Sequence, residues 1–200
     1  MTDDDLSLRI RRIYAAIDAA VETDLRRVPP TVTRTETVIS VAQNFRGGLS
    51  PEAISNLAYQ VIHNIANLRD NLRKWAEANA KNPARVRATF DSSLPLRVLQ
   101  DLSNADKHGY PLTRPSNSGL DPLLTEVDRV MRLKPAPGGG VFAVIDLGGM
   151  RAEGGGSAKV VVTGKVTAKD GSAIGDLYEL ELKAVEAWES LLAEYGVPIN

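Results

Sequence analysis

The sequence has no cysteine and only two histidines in 200 residues. Without cysteine the chain has no disulfide, no thiol nucleophile and no thiolate metal site, which fits a reducing compartment and predicts a cytoplasmic protein. It also lacks an HExxH motif, a paired-histidine spacing and a glycine-rich phosphate loop. No metal or cofactor is therefore predicted, and the common enzyme classes find no support.

An excess of either charge is missing as well. The chain has 24 Lys+Arg against 25 Asp+Glu, with a sequence pI of about 6.2, so no overall field attracts it to nucleic acid or to an anionic membrane. No apolar run approaches the roughly 20 residues that span a bilayer, and the acidic start MTDDDLSL does not resemble a secretory signal. With 43% hydrophobic residues and a mean hydropathy of -0.16, the composition indicates a soluble globular protein without a membrane partner.

Helical periodicity dominates the first half of the chain. Apolar residues recur every three or four positions, and the pattern is interrupted by prolines at Pro29, Pro83 and Pro95. The predicted helices cover residues 5–25, 51 to about 79–82, 84–90 and 94–108. Residues 31–48 are predicted to be a long connection with at most one short helix or strand.

The second half favours valine and glycine. Residues 113–122 are rich in proline, serine, asparagine and glycine, which indicates a linker or a wrapping loop. VFAVIDL and AKVVVTGKVTA are predicted strands, PAPGGG and AEGGGS are predicted turns, and EVDRVMRL is open between strand and helix. A last helix begins after Asp176, with Glu179 three residues on, and ends near Gly196.

These patterns predict the α+β class. A helical bundle over residues 1–112 is followed over residues 113–200 by a small antiparallel sheet of about three strands and a C-terminal helix, packed together as one compact unit.

The stretch LPLRVLQDLSNADKH, residues 94–108, has the densest chemistry. At helical spacing, Leu99 and Leu102 mark its apolar side, and Asp106 falls on that side four residues after Leu102. A buried carboxylate is costly unless it is paired. We therefore expect a structural ion pair between Asp106 and Arg69 of the preceding long helix, with Arg73 as the alternative partner.

The opposite side of this helix carries a polar stripe, and the preceding long helix carries another at the same spacing. The first consists of Arg97, Asp101, Asn104 and His108, and the second of His63, Asn67, Asp70 and Lys74. We expect the two stripes to face each other across a groove, with His63, Asn67 and Arg97 around the site. The alternative is that the stripes are solvated surface and that His108, before Gly109, caps the end of its helix.

The pairing of ANLRDNLRKWA on one helix with LQDLSNADKHG on the next resembles a group of uncharacterised bacterial and phage proteins that combine N-x-R with N-x-D-K-H. These in turn look like outlying members of the HEPN superfamily, four-helix domains common in toxin and antiviral systems. The resemblance implies a HEPN-like bundle and a homodimer, for which the long amphipathic helices offer the surface.

Catalytic HEPN proteins cut RNA without metal, using an arginine, a polar residue and a histidine brought together across a dimer. By resemblance, His108 matches the histidine and Asn104 the polar residue. The arginine has no counterpart, because Leu102 and Ser103 stand where it is expected and Arg97 lies eleven residues before His108. Lys107 is the remaining candidate for the positive charge.

Two functions follow from this resemblance. The first is a non-catalytic interaction or regulatory module of a bacterial or phage conflict system, with a protein partner. The alternative is a metal-independent ribonuclease acting as a dimer through Asn104, His108 and Lys107, with RNA as its substrate.

Overall fold

A computed structural model of the chain describes residues 2–112, 114–146 and 149–197. Within these ranges the α-helices are α1 (Asp3–Ala20), α2 (Pro51–Ala78), α3 (Pro83–Ser92), α4 (Leu94–His108) and α5 (Leu177–Tyr195). The strands are β1 (Val21–Glu22), β2 (Thr31–Arg34), β3 (Ile39–Ala42), β4 (Leu123–Pro135), β5 (Val141–Asp146), β6 (Gly149–Gly154), β7 (Gly156–Thr167) and β8 (Ala173–Asp176). The α+β class and the C-terminal helix are confirmed.

The helices begin where capping side chains satisfy their free N–H groups. Thr2 and Asp5 form a reciprocal capping box at α1. The Ser50 side chain accepts a hydrogen bond from the backbone N–H of Ala53 at the start of α2, and Asp176 accepts one from that of Glu179 at the start of α5. Local sequence signals therefore set these helix starts.

The main sheet is built around β7. Strand β4 pairs with it antiparallel along one edge, while β1 and β8 pair with different parts of its other edge. The sheet thus has four strands in the described ranges, one more than predicted, because the two short strands β1 and β8 complete its second edge. EVDRVMRL lies within β4 and is a strand.

Two antiparallel hairpins lie outside this sheet, β2 with β3 and β5 with β6. The first occupies the segment predicted to be a long connection. The second shortens the predicted AEGGGS turn, because β6 continues to Gly154 and β7 begins at Gly156.

One apolar core joins the helices and the sheet. It includes Leu6 of α1, Leu72 of α2, Val162 of β7, and Leu177 and Trp188 of α5, and each of these residues is at most 2% exposed. The Trp188 indole N–H donates to the backbone carbonyl of Ile65 across 3.3 Å, so α5 closes directly onto α2.

A smaller cluster of Leu25, Val28, Met150 and Val160 packs the β6 side of the second hairpin against β7. The helical and sheet segments that the sequence separates at residue 112 therefore share one hydrophobic interior.

Candidate functional site

Helix α4 carries most of the candidate residues. Ser93 caps its start, and its end is set by Gly109, whose φ of 85° is accessible to glycine without strain. Leu99 and Leu102 are buried, as predicted for the apolar side. The polar residues divide between two different sides of the helix.

The buried acid of α4 is Asp101 rather than Asp106. Asp101 is 0% exposed, whereas the Asp106 side chain is 42% exposed. The expectation that Asp106 points into the core is wrong. Position 106 lies in the last turn of the helix, at a groove beside α2, so its place on the apolar stripe does not bury it.

The loop after α4 satisfies the Asp101 carboxylate with hydrogen bonds from uncharged donors instead of a basic side chain. One carboxylate oxygen accepts from the backbone N–H and the side-chain amide of Asn117, at 2.8 and 2.6 Å. The other accepts from the backbone N–H and the hydroxyl of Ser118, at 2.8 and 2.7 Å. Four donors satisfy a buried carboxylate and fix the loop across α4.

We call these four hydrogen bonds between Asp101 and the loop the Asp101 clasp. A cleft with a volume of about 390 Å³ lies beside it. Its lining includes Asp101, Asn104, His108, Leu112, Arg114 and Pro115. Asn104 and His108, predicted to act together, therefore share one cleft, and the loop adds the exposed guanidinium of Arg114. The Asn104 side-chain oxygen accepts from the Gln100 amide at 3.1 Å, which leaves its amide N–H groups as the donors for a ligand.

His63 lies in a different place, the groove between α2 and α4. Its Nδ1 is 2.8 Å from the Ser103 hydroxyl oxygen, and its Nε2 is 2.8 Å from Asp106 Oδ2. The Tyr59 ring lies at a centroid distance of 6.0 Å from the imidazole. Burial, followed by the negative charge of Asp106, raises the pKa of the Tyr59 hydroxyl.

Ser103, His63 and Asp106 contain the functional groups of a serine hydrolase triad, but they cannot act as one. Ser103 is 0% exposed, so its hydroxyl cannot reach a substrate carbonyl. Both ring nitrogens of His63 are already engaged within the protein. The hydrogen bonds of His63 with Ser103 and Asp106 instead link α2 to α4.

The expected ion pair between Asp106 and Arg69 is wrong. Asp106 pairs with His63, and the Arg69 guanidinium carbon lies 3.9 Å from the centroid of the Phe90 ring of α3. Arg69 therefore makes a cation–π contact with Phe90 instead of an ion pair. The imidazole of His63 is the partner of Asp106 in its place.

The predicted groove is also changed. Two residues of the α2 stripe contact α4: His63 bonds Ser103 and Asp106, and the Asn67 side chain accepts from Lys107 at 3.2 Å. Lys107 is thus directed towards α2, away from the cleft that His108 lines. Arg97 donates to the carbonyl of Asn117 at 3.3 Å and supports the loop.

Ser103, Arg114, Asn117 and Ser118 are the site residues that the sequence did not indicate. Ser103 stands on α4 without a periodic signal of its own, and the other three lie in a loop whose composition predicts only irregular structure. Asn and Ser side chains are frequent partners of nearby polar groups, but nothing in the loop sequence specifies Asp101 as their acceptor.

In the described part of the chain, His, Asp and Glu side chains do not gather in any group of three or more that could hold a metal ion. The helices described are all too short or too polar to cross a membrane.

Comparison with known proteins finds no match for this chain. No family model matches the chain, and neither the curated proteins nor the solved structures contain a significant match.

Proposed function

We propose that the chain is a HEPN-like, non-catalytic interaction module of a bacterial or phage conflict system. The HEPN-like assignment and the conflict system rest on the resemblance of its two motif helices. The non-catalytic part rests on where the two histidines lie. His63 is held on both ring nitrogens between α2 and α4, and His108 is the single imidazole that the chain supplies to the cleft.

One imidazole supplies one of the two proton-transfer groups of metal-free RNA cleavage within one chain, and the carboxylate of Asp101 in the same cleft already accepts four hydrogen bonds. That reaction needs a base for the 2'-hydroxyl proton, an acid for the leaving oxygen, and a cation for the charge of the phosphorane. Lys107, the third catalytic candidate, contacts Asn67 instead of the cleft. The amide of Asn104, the imidazole of His108 and the guanidinium of Arg114 suit binding to a carboxylate or phosphate group of a partner.

The second candidate is a metal-independent ribonuclease that acts as a dimer. One specific observation favours it: Arg114 lines the same cleft as Asn104 and His108 and supplies a guanidinium there, whereas Leu102 and Ser103 stand at the position of α4 where the arginine is expected. In this alternative, a second copy of the chain contributes the second imidazole.

Incubation with end-labelled RNA separates the two functions. The proteins to compare are the wild type, His108→Ala, Arg114→Ala and, as a matched control, Arg87→Ala, which removes an exposed arginine of α3. For a non-catalytic module we expect all four to leave the RNA uncut above the buffer rate. Cleavage that falls about 100-fold or more in His108→Ala and Arg114→Ala but persists in Arg87→Ala would establish the ribonuclease instead.

A further inference from the structure

The hairpin of β2 and β3 is the most exposed apolar element in the described structure. All of its strand residues are exposed, and its strands are paired with each other alone. A two-stranded hairpin with no further packing is marginally stable in water. Packing of this hairpin against a partner would therefore stabilise it.

The strand register divides this hairpin into two unlike faces. Val32 lies opposite Val41, and Arg34 lies opposite Ile39, so these four side chains share one face. The other face carries Thr31, Thr33, Ser40 and Ala42. On the first face Val32, Ile39 and Val41 are 41%, 63% and 53% exposed, and we name this surface the apolar hairpin face.

The apolar faces of the long helices α1 and α2 are covered by other parts of the chain. The buried residues of α1 and nearly all of those of α2 belong to the common core, so the apolar stripes of these helices pack within the chain. Alternation of apolar and polar residues along a strand is typical of a sheet with one buried face. In the described ranges, the apolar hairpin face is a strand surface of that kind on which three apolar side chains lie together and stay exposed.

The charges of the hairpin indicate what covers it. Arg34 and Glu36 are its charged residues, they have opposite signs, and both lie near its tip. In the described structure neither side chain has an ion-pair partner. A surface with balanced charge attracts neither nucleic acid nor an anionic membrane, but it complements a second copy of itself.

We propose that two copies of this chain pack through the apolar hairpin face about a two-fold axis that runs along the hairpin. In this arrangement Val32 of one copy lies against Val41 of the other, and each Arg34 lies beside the tip that carries Glu36 of the second copy. Three apolar side chains of each copy lie on this face, far fewer than the roughly 20–30 residues a side of a standard interface, so we expect the dimer to form at micromolar concentrations and to dissociate on dilution. This inference goes beyond the proposed function and does not depend on it.

Sedimentation velocity of the full chain, from about 1 to about 200 μM, tests the proposal. We expect the wild type to shift from monomer to dimer over this range and Val41→Lys to stay monomeric. Ser40→Lys is the matched control, because it adds the same charge to the neighbouring residue on the opposite face, and we expect it to dimerise like the wild type. Unchanged thermal melting of each variant shows that the common core is intact, and unchanged amide hydrogen exchange of residues 31–42 shows that the hairpin still forms.

A charge exchange tests the two-fold arrangement itself. Arg34→Glu is expected to weaken the dimer at least tenfold, and the double variant with Arg34→Glu and Glu36→Arg is expected to restore it. A wild type that remains monomeric, equal effects of Val41→Lys and Ser40→Lys, or a dimer that survives Val41→Lys would each overturn the proposal. Loss of the dimer leaves the RNA assay of the cleft unaffected for a non-catalytic module, so the two proposals fail separately.

Discussion

Three acidic side chains on α4 and α5 differ in what surrounds each carboxylate. Asp106 is partly solvated and bonded to an imidazole, and Asp101 is fully buried and bonded to four donors. Glu181 is 5% exposed, and its Oε1 has no hydrogen-bond partner in the described structure. Burial with this oxygen unpartnered favours the neutral form of Glu181.

Glu181 should make stability depend on pH. Burial, and then the negative charge of Asp176, raise the pKa of this carboxyl well above its ordinary value. Between the unfolded and folded pKa values the folded chain binds more protons than the unfolded chain, so the free energy of unfolding falls as the pH rises. In Glu181→Gln, which cannot ionise, we expect much of this fall to disappear.

Urea unfolding at about pH 5 and about pH 8 measures this difference. Glu186→Gln is the control, because Glu186 lies on the same helix and is exposed. If the stability of Glu181→Gln changes between the two pH values as much as that of the wild type, the buried carboxyl is not the cause.

At the scale of elements, the loop segment of residues 114–122 is held to α4 mainly through Asp101. Replacing this residue in Asp101→Ala leaves four donors of Asn117 and Ser118 without their acceptor. We expect a loss of roughly 2–4 kcal/mol in the free energy of unfolding, because four part-buried donors lose a charged acceptor. The cleft should also open, since its lining includes loop residues.

Denaturant unfolding measures the first effect, and amide hydrogen exchange of Asn117 and Ser118 measures the second. Asp91→Ala on α3 removes an exposed acid paired with Arg87 and should change stability by less than about 0.5 kcal/mol. Equal losses in the two variants would contradict the structural role of Asp101.

Elements with their own local signals were predictable from the sequence. The α2 helix has a Ser-Pro start and continuous apolar periodicity, and its predicted bounds agree with the structure to within a few residues. The β2–β3 hairpin was not predicted because its exposed valines and isoleucine serve no core of this chain. The clasp on Asp101 was missed because it depends on a loop that returns across the helix, and no local period encodes that contact.

At the scale of the molecule, the core is shared between residues that are far apart in the chain. Val162 and Val166 of β7 pack in the same cluster as Leu6 of α1, and Trp188 of α5 bonds to the backbone of α2. The predicted split into residues 1–112 and 113–200 therefore marks a change in composition within one hydrophobic interior. Its status as a boundary between folding units stays a prediction.

A fragment of residues 1–112 tests that boundary, and we expect it not to fold. Without α5 and β7 it loses Leu177, Trp188 and Val162 from the core, and each large buried apolar side chain contributes roughly 1.5–3 kcal/mol. Circular dichroism should show reduced helicity and no cooperative thermal transition. A full chain with residues 31–42 replaced by a short turn is the control, and it should melt like the wild type because that hairpin lies outside the core. A cooperative transition in the fragment would instead make the helical bundle an independent domain, with the sheet and α5 added onto it.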